Sequence, residues 1–344
     1  MNKTDEIRYE WADFCRVIAT LGVIIIHTTG PTIRDFSPPT MTDWISANFL
    51  NSITRASVPL FFMLSGTLLL NRNQGKISLY SLVKRVSRLA IPLAVWSTLY
   101  LANRSYNTGQ PIDIISIFQK PAMYHLWFVY SLIGVYLLLP FLQAIFDTIK
   151  DRKDYQLFFL TIWFIIVCLP NYLKFDIIKQ VYPTGFLGYS GYFIIGAVIS
   201  HNISKYKNNV KTKIYLSITV LIISIISTFL ITYFISMESN TAKQIAYKYF
   251  SPNVFLSSIS SFYLFHFIVL NKKLAKFFTT LSGHTFVIYL VHIFILSKIS
   301  WISKSLDVLP VILQITLTSC LTFAIGLLVS YLLRPLPKSK QIFG

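Results

Sequence analysis

Ten runs of mostly apolar residues, each near the length of a membrane span, recur along this 344-residue chain. They fall at roughly 12–30, 47–70, 87–104, 125–146, 155–173, 185–201, 213–236, 252–270, 283–300 and 309–333. A helix rises about 1.5 Å per residue, so it needs about 20 such residues to cross a hydrocarbon core. No water serves backbone N–H and C=O groups in lipid, which leaves helices as the way to span with runs of this length. The expected fold class is an all-α integral membrane protein with about ten transmembrane helices. Gly185, Gly188, Gly191 and Gly196 dilute the sixth run, and their spacing suits close helix packing in lipid.

Composition excludes the other broad classes. Only 13% of the residues are charged, against about 25% in soluble domains. The 28 Phe and 20 Tyr exclude disorder. Cys15, Cys168 and Cys320 sit in separate apolar runs without metal or disulfide spacing, and are expected as small core residues. The formal charge of +18 would suggest nucleic acid in a soluble protein. Here the cations are dispersed among short loops, which membrane topology explains better than a nucleic-acid partner. With a cytoplasmic N-terminus and alternating loops, 20 Lys and Arg fall inside and 9 outside, while Arg16 and Arg55 lie within or at the edge of spans. That asymmetry favours ten spans with both termini cytoplasmic. Lys3 and Arg8 precede the first run as in a secretory signal. However, His27-Thr28-Thr29-Gly30-Pro31 offers no small-x-small cleavage site, so a retained helix is expected. The longest loop, 105–124, is too short for a soluble domain. A single membrane-embedded domain over 1–344 is expected, with any site among the helices or at their ends.

Ionisable side chains in lipid are costly and mark function. The first span carries Asp13, Arg16 and His27. Eleven residues at about 100° each come within roughly 20° of three full turns, so Arg16 and His27 share a face about 16 Å apart along the axis. Asp13, one turn before Arg16, can pair with it. A snorkelling arginine and a histidine satisfied at the outer end are the plainer alternative. In the second span, Pro59 frees a carbonyl and Ser65-Gly66 permits close approach, which predicts a kinked packing helix. Lys84, Arg85 and Arg88 share one helical face at the cytoplasmic boundary. They can grip phosphates of a nucleotide-like cofactor, or act as topology anchors on anionic lipid. Tyr124-His125-Leu126-Trp127 opens the fourth span; an aromatic belt explains Tyr124 and Trp127, and an aromatic platform beside imidazole can also receive a sugar ring. His284 and His292 stand about 80° apart on one helix, poor metal geometry, and no metal site is expected. Walker, dinucleotide and serine-elbow motifs are lacking.

Four features in this order resemble the acyltransferase-3 family: Arg16 followed by ten residues and His27, then Phe61-Phe62-Met63-Leu64-Ser65-Gly66, then Lys84-Arg85-Val86-Ser87-Arg88-Leu89-Ala90-Ile91-Pro92, then Tyr124-His125-Leu126-Trp127-Phe128. They cover residues 11–143; the C-terminal half is similar mainly in hydropathy and in Tyr289-Leu290-Val291-His292. The stretches from Asn51 to Gly66 and from Gln119 to Gln143 are similar, more narrowly, to members that O-acetylate enterobacterial common antigen. The resemblance implies a bacterial inner-membrane O-acetyltransferase moving acetyl from acetyl-CoA to a hydroxyl of a cell-surface polysaccharide or its lipid-linked precursor. The soluble hydrolase-like domain that some members carry is not expected here. His27 is then the general base or acetyl carrier, with Arg16 and Asp13 orienting the site. Lys84, Arg85 and Arg88 hold the CoA phosphates, while Ser65, Tyr124, His125 and Trp127 shape the acceptor pocket. A homo-oligomer is compatible with these features. A transporter or flippase of a lipid-linked sugar is the alternative, although the halves show no inverted repeat and few intramembrane carboxylates.

Overall fold

The computed structural model describes residues 9–36, 41–71, 77–173, 185–206, 208–305 and 308–344, with backbone alone for 300–305. Lys3, Arg8, Arg72, Lys76, Lys174, Lys179 and Lys207, which enter the charge asymmetry, lie outside them, as does the Lys304 side chain. The described residues contain helices and no strand. The helices are α1 (Glu10–Arg34), α2 (Met41–Thr54), α3 (Ser57–Leu70), α4 (Leu79–Thr108), α5 (Trp127–Leu137), α6 (Leu139–Ile149) and α7 (Lys153–Trp163). They continue as α8 (Phe186–Lys205), α9 (Val210–Ser239), α10 (Pro252–Phe265), α11 (Lys272–Ser282), α12 (Thr285–Ser305), α13 (Val311–Leu333) and the short α14 (Ser339–Ile342).

All ten expected runs are helical. Five stretches are long and apolar enough to cross a membrane: α1, α2 with α3, the helical stretch Lys153–Asn171, α9 and α13. The pairs α5–α6 and α11–α12 pass the same test when each is taken together, bent by 66° and 60°. The other three runs fall in α4, α8 and α10, which are not among these stretches; α10 has only 14 residues. Length and hydropathy thus support five to seven crossings among the described residues, against the ten expected. The chain is a multi-pass all-α membrane protein.

Helix α1 occupies the centre, packed against α2, α3, α10, α11, α12 and α13. This position explains how it carries Asp13, Arg16 and His27: they face neighbouring helices instead of lipid. Packing in lipid relies on close approach, because acyl chains are as apolar as leucine. The α3–α8 pair shows it. Gly66 lies so near the Phe193 carbonyl that a Cβ would stand 1.8 Å from its oxygen, and Gly196 meets the Met63 backbone the same way. Gly191 makes room for the Trp163 ring and Gly188 for Phe250, so the glycine spacing in α8 is a packing device.

Two prolines set local geometry. Pro59 has no N–H to return to the Arg55 carbonyl, and the helix breaks there, with α2 ending at Thr54 and α3 beginning at Ser57. The expected kink is therefore an interruption that leaves Arg55 between two helices. Pro140, in the first turn of α6, marks the bend after α5. In α9 the polarity of a water-soluble helix is reversed. Ser224, Thr228, Thr232 and Ser236, four residues apart, face inward, while Ile222, Ile223, Ile226 and Phe234 are exposed. Asn253 of α10 donates to the Thr228 hydroxyl at 2.7 Å. Cys15 and Cys168 are buried as expected, but Cys320 is exposed, because α13 turns that face outward where lipid satisfies an apolar side chain as well as a core does.

Candidate functional site

The polar face of α1 serves two sites, one near each end. Near its start, Arg16 donates to the Ser282 hydroxyl at 2.9 Å and pairs with Asp13 at 3.6 Å. The Asp13 carboxylate also accepts from Thr279 at 3.1 Å. Ser282 and Thr279 belong to the last turns of α11, just before the 60° bend. Arg16 also lines a cleft of about 940 Å³ with Lys84, Arg85 and Arg88 of α4, Tyr136 of α5, and Lys340 of α14. The α4 cations come together because their spacing puts them on one face of its first turns. Lys340 arrives because α14 packs on α4, where the Trp96 indole donates to the Phe343 carbonyl at 3.2 Å. Five cations in one open cleft make a receptor for a polyanion.

Three turns further along α1, His27 enters a recess of imidazoles and phenols. Its ring centre lies 5.3 Å from Tyr124, 6.5 Å from His125 and 5.1 Å from His292 of α12. His125 and His292 are themselves 4.8 Å apart. Both are buried to 1% exposure or less, whereas His27 is half-buried and Tyr124 exposed, so the recess opens past them. The Tyr289 hydroxyl donates to the His125 carbonyl. Tyr100 donates to the Leu290 carbonyl at 2.9 Å, which ties α4 to α12 behind the histidines. No salt bridge joins a carboxylate to these three histidines among the described residues. Imidazoles can abstract and hold protons; no group of three His, Cys, Asp or Glu among the described residues is arranged to hold a metal ion.

The candidates divide between these sites. Tyr124 and His125 stand beside His27. Trp127 lies next to them along the chain but stacks on Tyr249 at 5.7 Å and faces Tyr189 at 5.4 Å. Close by, Arg55 Nε donates to Asn51 at 2.5 Å and its guanidinium covers the Tyr247 ring at 4.2 Å. Trp127 thus joins the recess through an aromatic wall. Ser65, expected with these aromatics, instead interacts with the Tyr136 side chain that lines the cationic cleft. It lies one turn beyond Phe61 on the same side of α3, about 5.4 Å further along the axis. The sequence alone gives no site role to His292, Arg55, Tyr136 or Lys340. His292 carried a signal in Tyr289-Leu290-Val291-His292; Lys340 carried none, since only tertiary packing brings it to α4.

The family model described as an acyltransferase domain matches residues 9–333. No curated protein and no solved structure matches the chain. The matched span runs from the residue before α1 to the end of α13, and so includes the histidine recess and the cleft cations Arg16, Lys84, Arg85 and Arg88, but not Lys340. This multi-pass membrane protein belongs to the acyltransferase-3 family.

Proposed function

We propose that this membrane acyltransferase moves an acetyl group from cytosolic acetyl-CoA to a sugar hydroxyl of a cell-surface polysaccharide or its lipid-linked precursor, in the bacterial inner membrane. One observation carries the reading: α1 puts Arg16 in a five-cation cleft and His27 in an aromatic recess on the same helical face. The two are about 16 Å apart along the axis. The pantetheine arm of CoA is about twelve bonds long, the reach of roughly four extended residues or about 14 Å. Phosphates held by Lys84, Arg85 and Arg88 therefore leave the thioester near His27. A cytosolic donor can in this way reach a histidine toward the far end of the helix. Asp13 holds Arg16 in place. Ser65, through Tyr136, belongs to the donor side, while Tyr124, His125 and Trp127 form the acceptor side.

The chemistry follows from the imidazole. A sugar hydroxyl attacks a thioester poorly while it keeps its proton. Neutral His27 takes that proton as the oxygen bonds to the carbonyl carbon, a contribution of about 10²–10⁴-fold. The C–S bond then breaks and the imidazolium returns the proton to the departing thiolate, so His27 ends as it began. The planar indole of Trp127 and the phenol of Tyr124 suit the apolar face and hydroxyl edge of a sugar ring.

Purified His27→Ala, assayed for CoA release with extracted surface glycan as acceptor, is expected to lose about 10²–10⁴-fold in kcat. Turnover at the unaltered rate would remove His27 from the reaction. Mass spectrometry of the glycan should show additions of about 42 Da, one acetyl in place of one hydrogen, in the presence of the enzyme.

A further inference from the structure

The three imidazoles differ in how their nitrogens are engaged. His292 Nδ1 lies 2.5 Å from the carbonyl of Tyr289, one turn earlier on α12. A carbonyl only accepts, so Nδ1 carries the proton and donates it, which leaves Nε2 of the neutral ring with a lone pair. That Nε2 is buried with no hydrogen-bond partner among the described residues. His125 is fixed in the opposite tautomer: Nε2 donates to the Leu290 carbonyl at 3.3 Å, leaving Nδ1 unpaired. Of the two, His292 has the ring nearer His27, at 5.1 Å against 6.5 Å. An unpaired buried acceptor is destabilising. One beside a ring that carries an N–H has an obvious donor, and catalytic hydrogen bonds that are long in a free enzyme tighten when substrate binds.

The geometry points to His292 as the positioning residue for His27, an inference that rests on His27 being the base. In this arrangement one His27 nitrogen donates its N–H to His292 Nε2. The other nitrogen is thereby fixed as the lone pair aimed at the acceptor hydroxyl. The hydroxyl proton moves to that nitrogen as the C–O bond forms, and passes to the thiolate when the C–S bond breaks. His292 gains and loses no proton; it holds the tautomer. A carboxylate plays this part in the Ser-His-Asp triad. Within a membrane helix bundle an imidazole does the same without a second buried charge, which would be costly to desolvate.

The test uses the purified full-length protein, radiolabelled acetyl-CoA and extracted surface glycan. Variants His292→Leu, His292→Gln and His292→Ala are assayed beside His27→Ala. His292→Leu should lower kcat by about 100-fold, with the KM for acetyl-CoA and the thermal shift caused by CoA unchanged. Glutamine can donate to the Tyr289 carbonyl and offer its oxygen to His27, so His292→Gln should recover at least about tenfold of that loss. Free imidazole should raise the rate of His292→Ala. An inactive His27→Ala with His292→Leu at the unaltered rate overturns the inference and leaves His27 as base. So does equal impairment of all three His292 variants without imidazole rescue, the pattern of a packing residue. Unaltered turnover by His27→Ala overturns both readings.

Discussion

Replacing Gly66 with alanine tests how α3 and α8 are held against each other. A Cβ there would stand 1.8 Å from the Phe193 carbonyl oxygen and 2.6 Å from its carbon. Both are backbone atoms of α8, so no side-chain rotation relieves the contact. Restoring an ordinary 3.4 Å approach requires α3 and α8 to part by about 1.6 Å. A gap of that size forfeits more than half of the dispersion attraction along the line of contact. Overpacking of a filled interior costs about 1–3 kcal/mol, and the backbone nature of this clash puts Gly66→Ala at about 3 kcal/mol. At about 2–4 °C per kcal/mol, Tm should fall by roughly 6–12 °C. Thermal unfolding in detergent, followed by tryptophan fluorescence, reads this directly. Gly283→Ala is the control, because a Cβ there meets only the Thr280 carbonyl at 3.4 Å, and its Tm should stay within about 2 °C. Equal melting of the two variants would refute the claim that α3 and α8 are held by backbone contact.

Two further outcomes are expected. Neutralising Lys84, Arg85 and Arg88 together, at about 1 kcal/mol per cation in an open cleft, should weaken CoA binding by roughly 100-fold in a thermal-shift titration, and Lys340→Gln alone by about fivefold; unchanged affinity would leave these residues as topology anchors. Away from the membrane, hydrogen bonds from Lys205 and His201 hold the exposed Asp151 carboxyl below its usual range. That contribution is complete above the ordinary carboxylate pKa and is lost as pH falls through the depressed value; the acid side of a Tm-versus-pH curve should therefore flatten in Asp151→Asn, and identical curves would count against the pairing.

The helices were legible because apolar length is a local property. Each of the ten runs is helical, and the break at Arg55 follows from Pro59 four residues on. The Arg16–His27 face was legible for the same reason, since both residues ride on one continuous helix. Crossing number was less so: α10 is too short alone, and α5–α6 and α11–α12 bend, which apolar runs do not encode. What the sequence withheld depends on helices far apart in the chain. His292 meets His27 only because α12 packs on α1, and Lys340 enters the cleft only because α14 returns to α4. Ser65 was grouped with the acceptor aromatics from its closeness to Phe61 and Phe62. One helical turn keeps Ser65 on the side of Phe61 but carries it about 5.4 Å along the axis, which brings it to Tyr136 of α5 instead.

The inverted polarity of α9 changes what its surface means. A helix in water has its solvent on the hydroxyl side; here the solvent is hydrocarbon, and the serines and threonines are the adhesive. Its outer isoleucines can be exchanged among themselves with little consequence, because fluid tails conform to any aliphatic shape. The short hydroxyl side chains four apart are the irreplaceable ones. They let α9 lie close against α10, and they set how near that whole wall of the molecule stands to the rest.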